Sequence, residues 1–187
     1  MDAIDALVNR VSCGKLSAPA PSQEQRLSLY KAALRAADHG NLRPWRFLEV
    51  EGDALHALGA VFERAALAED EGLTESQRVR FLKMPLRAPL ILVALACCEE
   101  HPKVPEWEQV VAAGAGVQNL LTAAFAEGVG AYWRTGSLVD SAVVREELDV
   151  ANNEKIVGFV YLGTPAVTPK SVPDLKVDDF FRPWPSK

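Results

Sequence analysis

Two cations, a hydroxyl group and a glycine occur within six residues near the start of the chain. Residues 10–15 are Arg-Val-Ser-Cys-Gly-Lys, and they follow a predicted short helix at residues 2–10. A guanidinium donates through a planar fork, and a hydroxyl and backbone N–H groups add neutral donors. This set could hold a phosphate. The alternative is a solvated helix end, where the helix dipole favours cations, and the residues alone favour that alternative.

A second polar segment, residues 35–47, joins a predicted helix to a predicted strand. It contains Arg35, Asp38, His39 and Arg43, and such junctions place side chains at a sheet edge where ligands bind. His39 either donates to a heteroaromatic ring or is an ordinary polar loop residue. Asp38 and His39 adjoin, but no serine or cysteine is placed to complete a nucleophilic triad.

A third candidate site is the glycine-bounded segment at residues 128–136. It holds Tyr132-Trp133-Arg134-Thr135 in sequence. In one interpretation Arg134 reaches a phosphate while an aromatic side chain borders a ring. In the other, the segment is an ordinary strand with alternating faces.

Other kinds of site find no support in the sequence. Gly114-Ala115-Gly116 lacks the preceding strand and the third glycine of a dinucleotide-binding fingerprint. Cys97, Cys98, His39 and His101 do not have the spacing of metal ligands. We therefore predict no metal site.

Composition limits the partners and the location. The chain has 187 residues, a net charge of −5 at pH 7 and three cysteines. The acidic balance argues against a nucleic-acid partner. The most apolar stretch, residues 90–98, is far shorter than the roughly 20 residues that span a bilayer, and no signal peptide is recognisable. We expect a cytoplasmic protein without a membrane partner.

Hydrophobic patterns predict the elements that position these residues. Capping boxes at residues 22–25 and 74–77 each predict a helix start, and Leu27, Tyr30, Leu34 and Ala37 follow the first at helical spacing. A helix at residues 105–127 is apolar nearly all round, so we predict that it is buried, with a small-residue face at residues 112–116 in close backbone contact. Strands are predicted at residues 45–51, 90–97, 130–136 and 156–163, and further helices at residues 53–67, 74–84 and 141–148.

The last residues form a distinct tail. Five prolines among the last 24 residues exclude a packed helix there, yet the tail carries Phe180, Phe181 and Trp184. These aromatic side chains either dock on their own domain or cover a partner subunit. Residues 176–181 could add a strand to a neighbouring sheet edge.

The ordered set of segments resembles the nitroreductase family. The family shows an Arg-x-Ser after its first helix, a loop leading to Pro-Trp-x-Phe, and a later glycine-flanked strand. These correspond here to residues 10–12, 36–47 and 128–136. Compact members of the family are also similar at residues 103–109 and 155–165, so the resemblance covers nearly the whole chain.

The resemblance implies fold, assembly and chemistry. We expect an α+β fold with a central, mostly antiparallel sheet of four to five strands flanked by helices, formed by a single domain over residues 1–187. The C-terminal tail, residues 164–187, would be swapped onto the partner subunit of a homodimer. The expected activity is an FMN-dependent transfer of hydride from NADH or NADPH to nitroaromatic, quinone or similar small acceptors. Alternatives are a flavin enzyme of the same fold with other chemistry, and a flavin carrier without turnover.

The resemblance also implies site residues, although flavin N5 would carry the chemistry and no side chain is predicted to be catalytic. Those expected to bind FMN are Arg10, Val11, Ser12, Lys15, Arg35, His39, Arg43, Trp133, Arg134 and Thr135. Those expected to border the nicotinamide are Ala123, Ala124, Phe125, Ala126, Glu127 and Gly128.

Overall fold

A computed structural model describes residues 1–168 and 170–185. Its helices are α1 (Ala3–Asn9), α2 (Gln23–Ala33), α3 (Asp53–Glu69), α4 (Glu75–Leu82), α5 (Glu106–Ala126) and α6 (Ala142–Glu147). Its strands are β1 (Leu16–Ser17), β2 (Trp45–Glu51), β3 (Leu90–Cys97), β4 (Gly130–Arg134) and β5 (Glu154–Pro165). The predicted α+β class is confirmed.

The sheet is antiparallel throughout and is centred on β3 and β5. The β3 strand pairs with β2 on one side and with β5 on the other, and β5 also pairs with β4 and with the short β1. The prediction of four to five mostly antiparallel strands is therefore confirmed. Strand β1 was not predicted from the sequence, because a strand of two residues shows no hydrophobic pattern.

Helices cover both faces of the sheet because β3 is apolar on both. Ile91, Val93 and Leu95 pack into one core with residues of α3, where Phe62 meets Phe159 edge to face at 5.1 Å between ring centroids. The alternate residues of β3 pack into a second core with α2 and α5. The period-2 alternation of a strand thus divides one apolar run between two layers.

Both predicted capping boxes are present. The Ser22 hydroxyl accepts from the Gln25 backbone N–H at 3.2 Å, and the Gln25 side chain accepts from the Ser22 N–H at 3.0 Å. Thr74 and Gln77 make the same reciprocal pair. The two capping boxes therefore predicted the starts of α2 and α4 correctly.

The apolar residues at helical spacing after the first capping box do not coincide with the buried face of α2. Leu29 and Ala33 are buried, whereas Leu27 and Leu34 are exposed, and the helix ends before Ala37. The reason is close packing on α5: a Cβ at Gly116 would lie only 3.2 Å from the Ala33 carbonyl oxygen. The predicted small-residue contact thus exists, and it turns a different face of α2 inward.

The long helix α5 is buried on one side only. Val117, Leu120 and Ala124 are in the core, but Trp107 and Val111 are exposed, so the predicted burial all round is wrong. By length and composition α5 could cross a membrane. Its apolar side instead packs on α2 and the sheet.

The described part of the tail lies exposed beyond β5. Val177–Asp179 form a single 3-10 turn in the protomer. The strand that residues 176–181 could add to a neighbouring sheet edge stays a prediction. Phe180, Phe181 and Trp184 are exposed, Trp184 by 93%, and this excludes docking on their own domain. Residues 169, 186 and 187, part of the predicted tail, lie outside the described residues.

Candidate active site

The guanidinium of Arg134 lies close to two tyrosine rings at the end of β4. Its Cζ is 4.0 Å from the Tyr132 ring centroid and 5.4 Å from the Tyr161 ring centroid, within the range of cation–π attraction. The register of β4 on β5 places Tyr132 opposite Tyr161. Among the described residues, the buried Nε of Arg134 has no hydrogen-bond partner. A buried donor left unpaired costs about 1–3 kcal/mol. The unpaired nitrogen therefore indicates that a ligand accepts its hydrogen bond.

A bulge in β5 fixes the neighbouring Trp133. The register of β3 on β5 shifts so that Val157 is the extra residue, and the Trp133 indole donates to its carbonyl at 3.1 Å. Gly158 has φ +152°, and a Cβ there would lie 2.2 Å from the Trp133 Nε1. The glycine is therefore required for this close approach, and the bulge directs the side chains at the end of β4.

Arg134 and two further arginines line one cavity, and we call it the arginine cavity. Arg80 of α4 and Arg87 of the 3-10 turn after it join Arg134 around a volume of about 390 Å³. Its other walls are Phe62, Met84, Tyr132, Trp133, Thr135, Gly136, Leu138, Phe159 and Tyr161. No carboxylate lines it, and none of the three arginines forms an ion pair within residues 1–168 and 170–185. Burial raises the pKa of Tyr161 to about 12, although Arg134 and Arg87 act to lower it.

The first predicted phosphate segment lines a different cavity, the Arg10 cavity. It has a volume of about 280 Å³ and is lined by Arg10 and Val11 together with Phe125 and Gly128 from the end of α5. The Cys13 N–H donates to the Ala131 carbonyl at 2.9 Å and so holds this loop on β4. The side chains of Ser12 and Lys15 are exposed beside it.

Arg35 lines a third cavity, against α1. Ala123 and Ala126 of α5 share this cavity, whose volume is about 500 Å³. The predicted nicotinamide segment is therefore divided by helical geometry, because Phe125 and Gly128 line the Arg10 cavity. Ala124 is buried in the core and Glu127 is the C-terminal cap of α5, so the Ala124 side chain is not available to a ligand.

The loop that carries His39 and Arg43 is held by two carboxylates. His39 Nδ1 lies 2.7 Å from Glu108 Oε2, which leaves its Nε2 for a ligand. Asp38 Oδ2 accepts from the Arg43 N–H at 2.6 Å while Arg43 has φ +51°. The carboxylate of Asp38 thus serves to hold the loop.

The predicted site residues do not converge within one protomer. Arg10, Arg35 and Arg134 line three different cavities. Their chemistry suits a flavin phosphate and ring, since guanidinium donors, an orphaned buried N–H and aromatic walls are all present. The Arg10 cavity, at about 280 Å³, lies just below the roughly 300–1,000 Å³ of ligand sites, and the arginine cavity, at about 390 Å³, lies near the lower end of that range. No one of these cavities brings Arg10, Arg35 and Arg134 together.

The sequence interpretation missed Arg80 and Arg87. Residues 78–87 contain several cations at ordinary helix-surface spacing. Arg78 proves to be paired with Glu63 at 2.7 Å, whereas Arg80 faces the cavity. No spacing signal separates the two, because pairing depends on the packing of α4 against α3.

Known proteins share this architecture. The family model described as Nitroreductase family matches residues 7–164. The chain belongs to the nitroreductase family. Relatives include YdjA of Escherichia coli strain K12, provisionally named an NAD(P)H nitroreductase, which is 43% identical over 180 residues covering 93% of this chain and 96% of YdjA. A Haemophilus influenzae protein with the same provisional name is 34% identical over 165 residues, 88% of this chain and 89% of the relative.

Solved structures agree on the fold. A nitroreductase-like family protein from Bacillus cereus superposes with a TM-score of 0.83 at 19% identity, covering 100% of this chain and 97% of that one. A nitroreductase-type protein from Desulfovibrio desulfuricans, solved in complex with FMN, has a TM-score of 0.77 at 22% identity and 99% coverage of both chains. The resemblance to the nitroreductase family inferred from the sequence is confirmed.

Proposed function

We propose that this nitroreductase-family protein is an FMN-dependent oxidoreductase that passes hydride from NADH or NADPH to nitroaromatic, quinone or similar small acceptors. The observation that carries the proposal is the buried Nε of Arg134, which has no partner among the described residues and whose guanidinium lies close to Tyr132 and Tyr161, beside Trp133 and Thr135. The provisional name of YdjA and the FMN in the Desulfovibrio structure support the same reading.

We infer the roles of the chain's own residues from the resemblance to the family. Arg10 and Ser12 would bind the phosphate and ribityl chain, while Arg35, His39 and the segment Trp133-Arg134-Thr135 would contact the rest of the cofactor. Bound FMN would supply the hydride chemistry at its N5. The protein would orient the cofactor and the substrates and provide the electrostatic environment. Glu108 orients the His39 ring through Nδ1. Tyr132 and Tyr161 hold the Arg134 guanidinium in place.

A homodimer would unite the separated cavities. Ile4, Leu7 and Val8 on α1 are exposed, as are Trp107 and Val111 on α5. Burying each such side chain stabilises an assembly by about 1.5–3 kcal/mol. We propose that residues 164–187 reach across and clasp the partner, covering the exposed tail aromatics. Three free cysteines suit the cytoplasm, where we place the protein.

Flavin titration tests the phosphate assignment. Apoprotein should bind FMN at least about tenfold more tightly than riboflavin, since charge-assisted contacts to a phosphate contribute about 1.5–3 kcal/mol. Arg10→Ala should remove most of that preference and leave riboflavin binding unchanged. Arg64→Ala is the matched control, because Arg64 pairs with Glu147 outside the three cavities. Equal affinities of the wild type for FMN and riboflavin would refute the phosphate assignment.

A further inference from the structure

We propose that Arg80 and Arg87 make the arginine cavity a receptor for an anionic group on a redox substrate. The group is either a carboxylate on an aromatic acceptor or the 2′-phosphate of NADPH. This inference rests on the proposed function, because it names the substrate chemistry of the same site. It concerns two residues that lie outside the segments by which the family was recognised.

The charge balance of the cavity is its first distinguishing feature. Arg26, Arg46, Arg64 and Arg78 each pair with a glutamate in this acidic chain. The three arginines of the arginine cavity have no carboxylate among the lining residues. Like charges gathered without counterions repel one another, and a concave positive site attracts anions. An anionic ligand neutralises this cluster.

The position of Arg80 is fixed by the fold. Helix α4 approaches α3 so closely that a Cβ on Gly59 would lie 2.2 Å from the Leu82 carbonyl oxygen. Only a residue without a side chain fits at this crossing, so α4 is held in one place. Arg80 therefore projects from a fixed helix, and Arg87 from the 3-10 turn Pro85–Arg87 that follows.

The remaining walls indicate what carries the anion. Phe62, Met84, Phe159 and Leu138 supply apolar surface beside the arginines. An inorganic anion would leave this surface unused, whereas an aromatic carboxylate or a nucleotide uses both parts. Trp133 and Thr135, the proposed flavin neighbours, line the same cavity, so a molecule bound by Arg80 and Arg87 would lie next to the cofactor.

Matched substrates test the proposal. The FMN-loaded protein is assayed with 4-nitrobenzoate and with its uncharged methyl ester, in the wild type, Arg80→Gln, Arg87→Gln and Lys83→Gln. Lys83 is an exposed cation near Arg80 that does not line the cavity, so its variant controls for net charge. In a second arm, flavin bleaching is measured with NADPH and with NADH.

The expected result is a selective loss. Each arginine variant should raise KM for the anionic compound about tenfold and leave its neutral counterpart and kcat unchanged, while Lys83→Gln behaves as wild type. Selectivity in the acid and ester arm assigns the acceptor carboxylate, and selectivity in the NADPH and NADH arm assigns the 2′-phosphate. Unchanged ratios in both arms, or an equal loss for charged and neutral compounds, would overturn the proposal.

Two further readouts separate this inference from other failures. If the arginine variants weaken FMN binding more than riboflavin binding, the cavity holds the cofactor phosphate and the proposal is wrong. If the wild type turns over neither acceptor, the reductase function fails on its own. Binding of 4-nitrobenzoate to the oxidised protein, followed by quenching of tryptophan fluorescence, then decides the inference, because it must still weaken in Arg80→Gln and Arg87→Gln.

Discussion

The arginine cavity has a counterpart of nearly equal volume and opposite charge. This counterpart, which we call the acidic cavity, has a volume of about 380 Å³. It is lined by Cys98, Glu99, Glu100, His101, Val104, Pro105, Glu106 and Asn153. Several of its polar groups are engaged in the fold. His101 Nδ1 accepts from the Lys103 and Val104 N–H groups at 3.2 and 3.1 Å, and Asn153 donates to the Cys98 carbonyl at 2.8 Å.

The two cavities differ in where their hydrogen bonds go. Buried Gln109 bonds to both the N–H and the carbonyl of Glu99, and Lys155 pairs with Glu106. The arginine cavity has three guanidinium groups and no carboxylate among its lining residues, and the buried Nε of Arg134 has no hydrogen-bond partner among the described residues. Satisfied polar groups serve the fold, and unsatisfied ones are available to a ligand. Volume alone would not distinguish these two cavities.

The cysteines beside the acidic cavity fit a structural role. Burial and the neighbouring Glu154 carboxylate raise the pKa of Cys97 to about 11. Burial also raises the pKa of Cys98. Neither thiol is therefore activated as a nucleophile.

The largest expected effect on stability lies next to the acidic cavity. Glu154 is buried and accepts from Arg46 Nε at 2.5 Å and from the Ala151 N–H at 2.9 Å. Arg46→Met should leave this carboxylate without its cation and lower the free energy of unfolding by about 3–5 kcal/mol. Urea denaturation measures the loss, and the folded variant should still bind FMN. A change below about 1 kcal/mol would show that the pair contributes little.

Arg134→Met should lower activity without lowering stability, which is the opposite of the effect expected for Arg46→Met. We expect a fall in kcat/KM of about a hundredfold, comparable with the removal of one preorganised charge donor. The free energy of unfolding should hold or rise, because the orphaned Nε is removed. Steady-state kinetics and urea denaturation of the same preparation provide both values. A variant that loses stability but keeps its activity would reverse the comparison between the two cavities.

The stability should also depend on pH through Glu154. Its pKa is lowered to about 2, chiefly by the hydrogen bond from Arg46 and further by those from the Ala151 N–H and the Cys97 thiol, below the roughly 4.3 of an unfolded glutamate. A depressed pKa in the folded state stabilises the protein above the unfolded value. That contribution is lost as the pH falls from about 4.3 towards 2. Thermal melts across this range should show a shallower decline for Glu154→Gln, and parallel curves for both proteins would contradict the assignment.

The smallest expected effect is that of His101→Ala. Two backbone N–H groups lose their acceptor, and water can partly replace it because the loop is near the surface. We expect a loss of about 1 kcal/mol in unfolding free energy with unchanged kcat/KM. A marked kinetic defect would mean that the acidic cavity, too, serves the reaction.

Local signals in the sequence predicted the framework well. The apolar run of β3 and the two capping boxes are properties of a few adjacent residues, and each was found where predicted. The spacing of apolar residues did not reveal the buried face of α2, because that face depends on the approach of Ala33 to Gly116, which are far apart in the chain. Strand addition by the tail stays a prediction, because it requires a neighbouring sheet edge to pair with residues 176–181.

The candidate site was only partly accessible from the sequence. Arg134 and its aromatic neighbours were singled out because they adjoin in the chain. Arg80 and Arg87 were not, since whether an arginine is paired is decided by contacts between helices. Arg78 and Arg80 differ by two positions, and only the former meets Glu63.

Anaerobic mixing of the FMN-loaded protein with a nicotinamide tests the proposed function most directly. Flavin absorbance should bleach with NADH, NADPH or both, and it should return when a nitroaromatic or quinone is added. The two steps should be separable, as expected for a reaction in which donor and acceptor use the site in turn. A flavin that stays oxidised with both donors would contradict the reductase function and favour a flavin carrier.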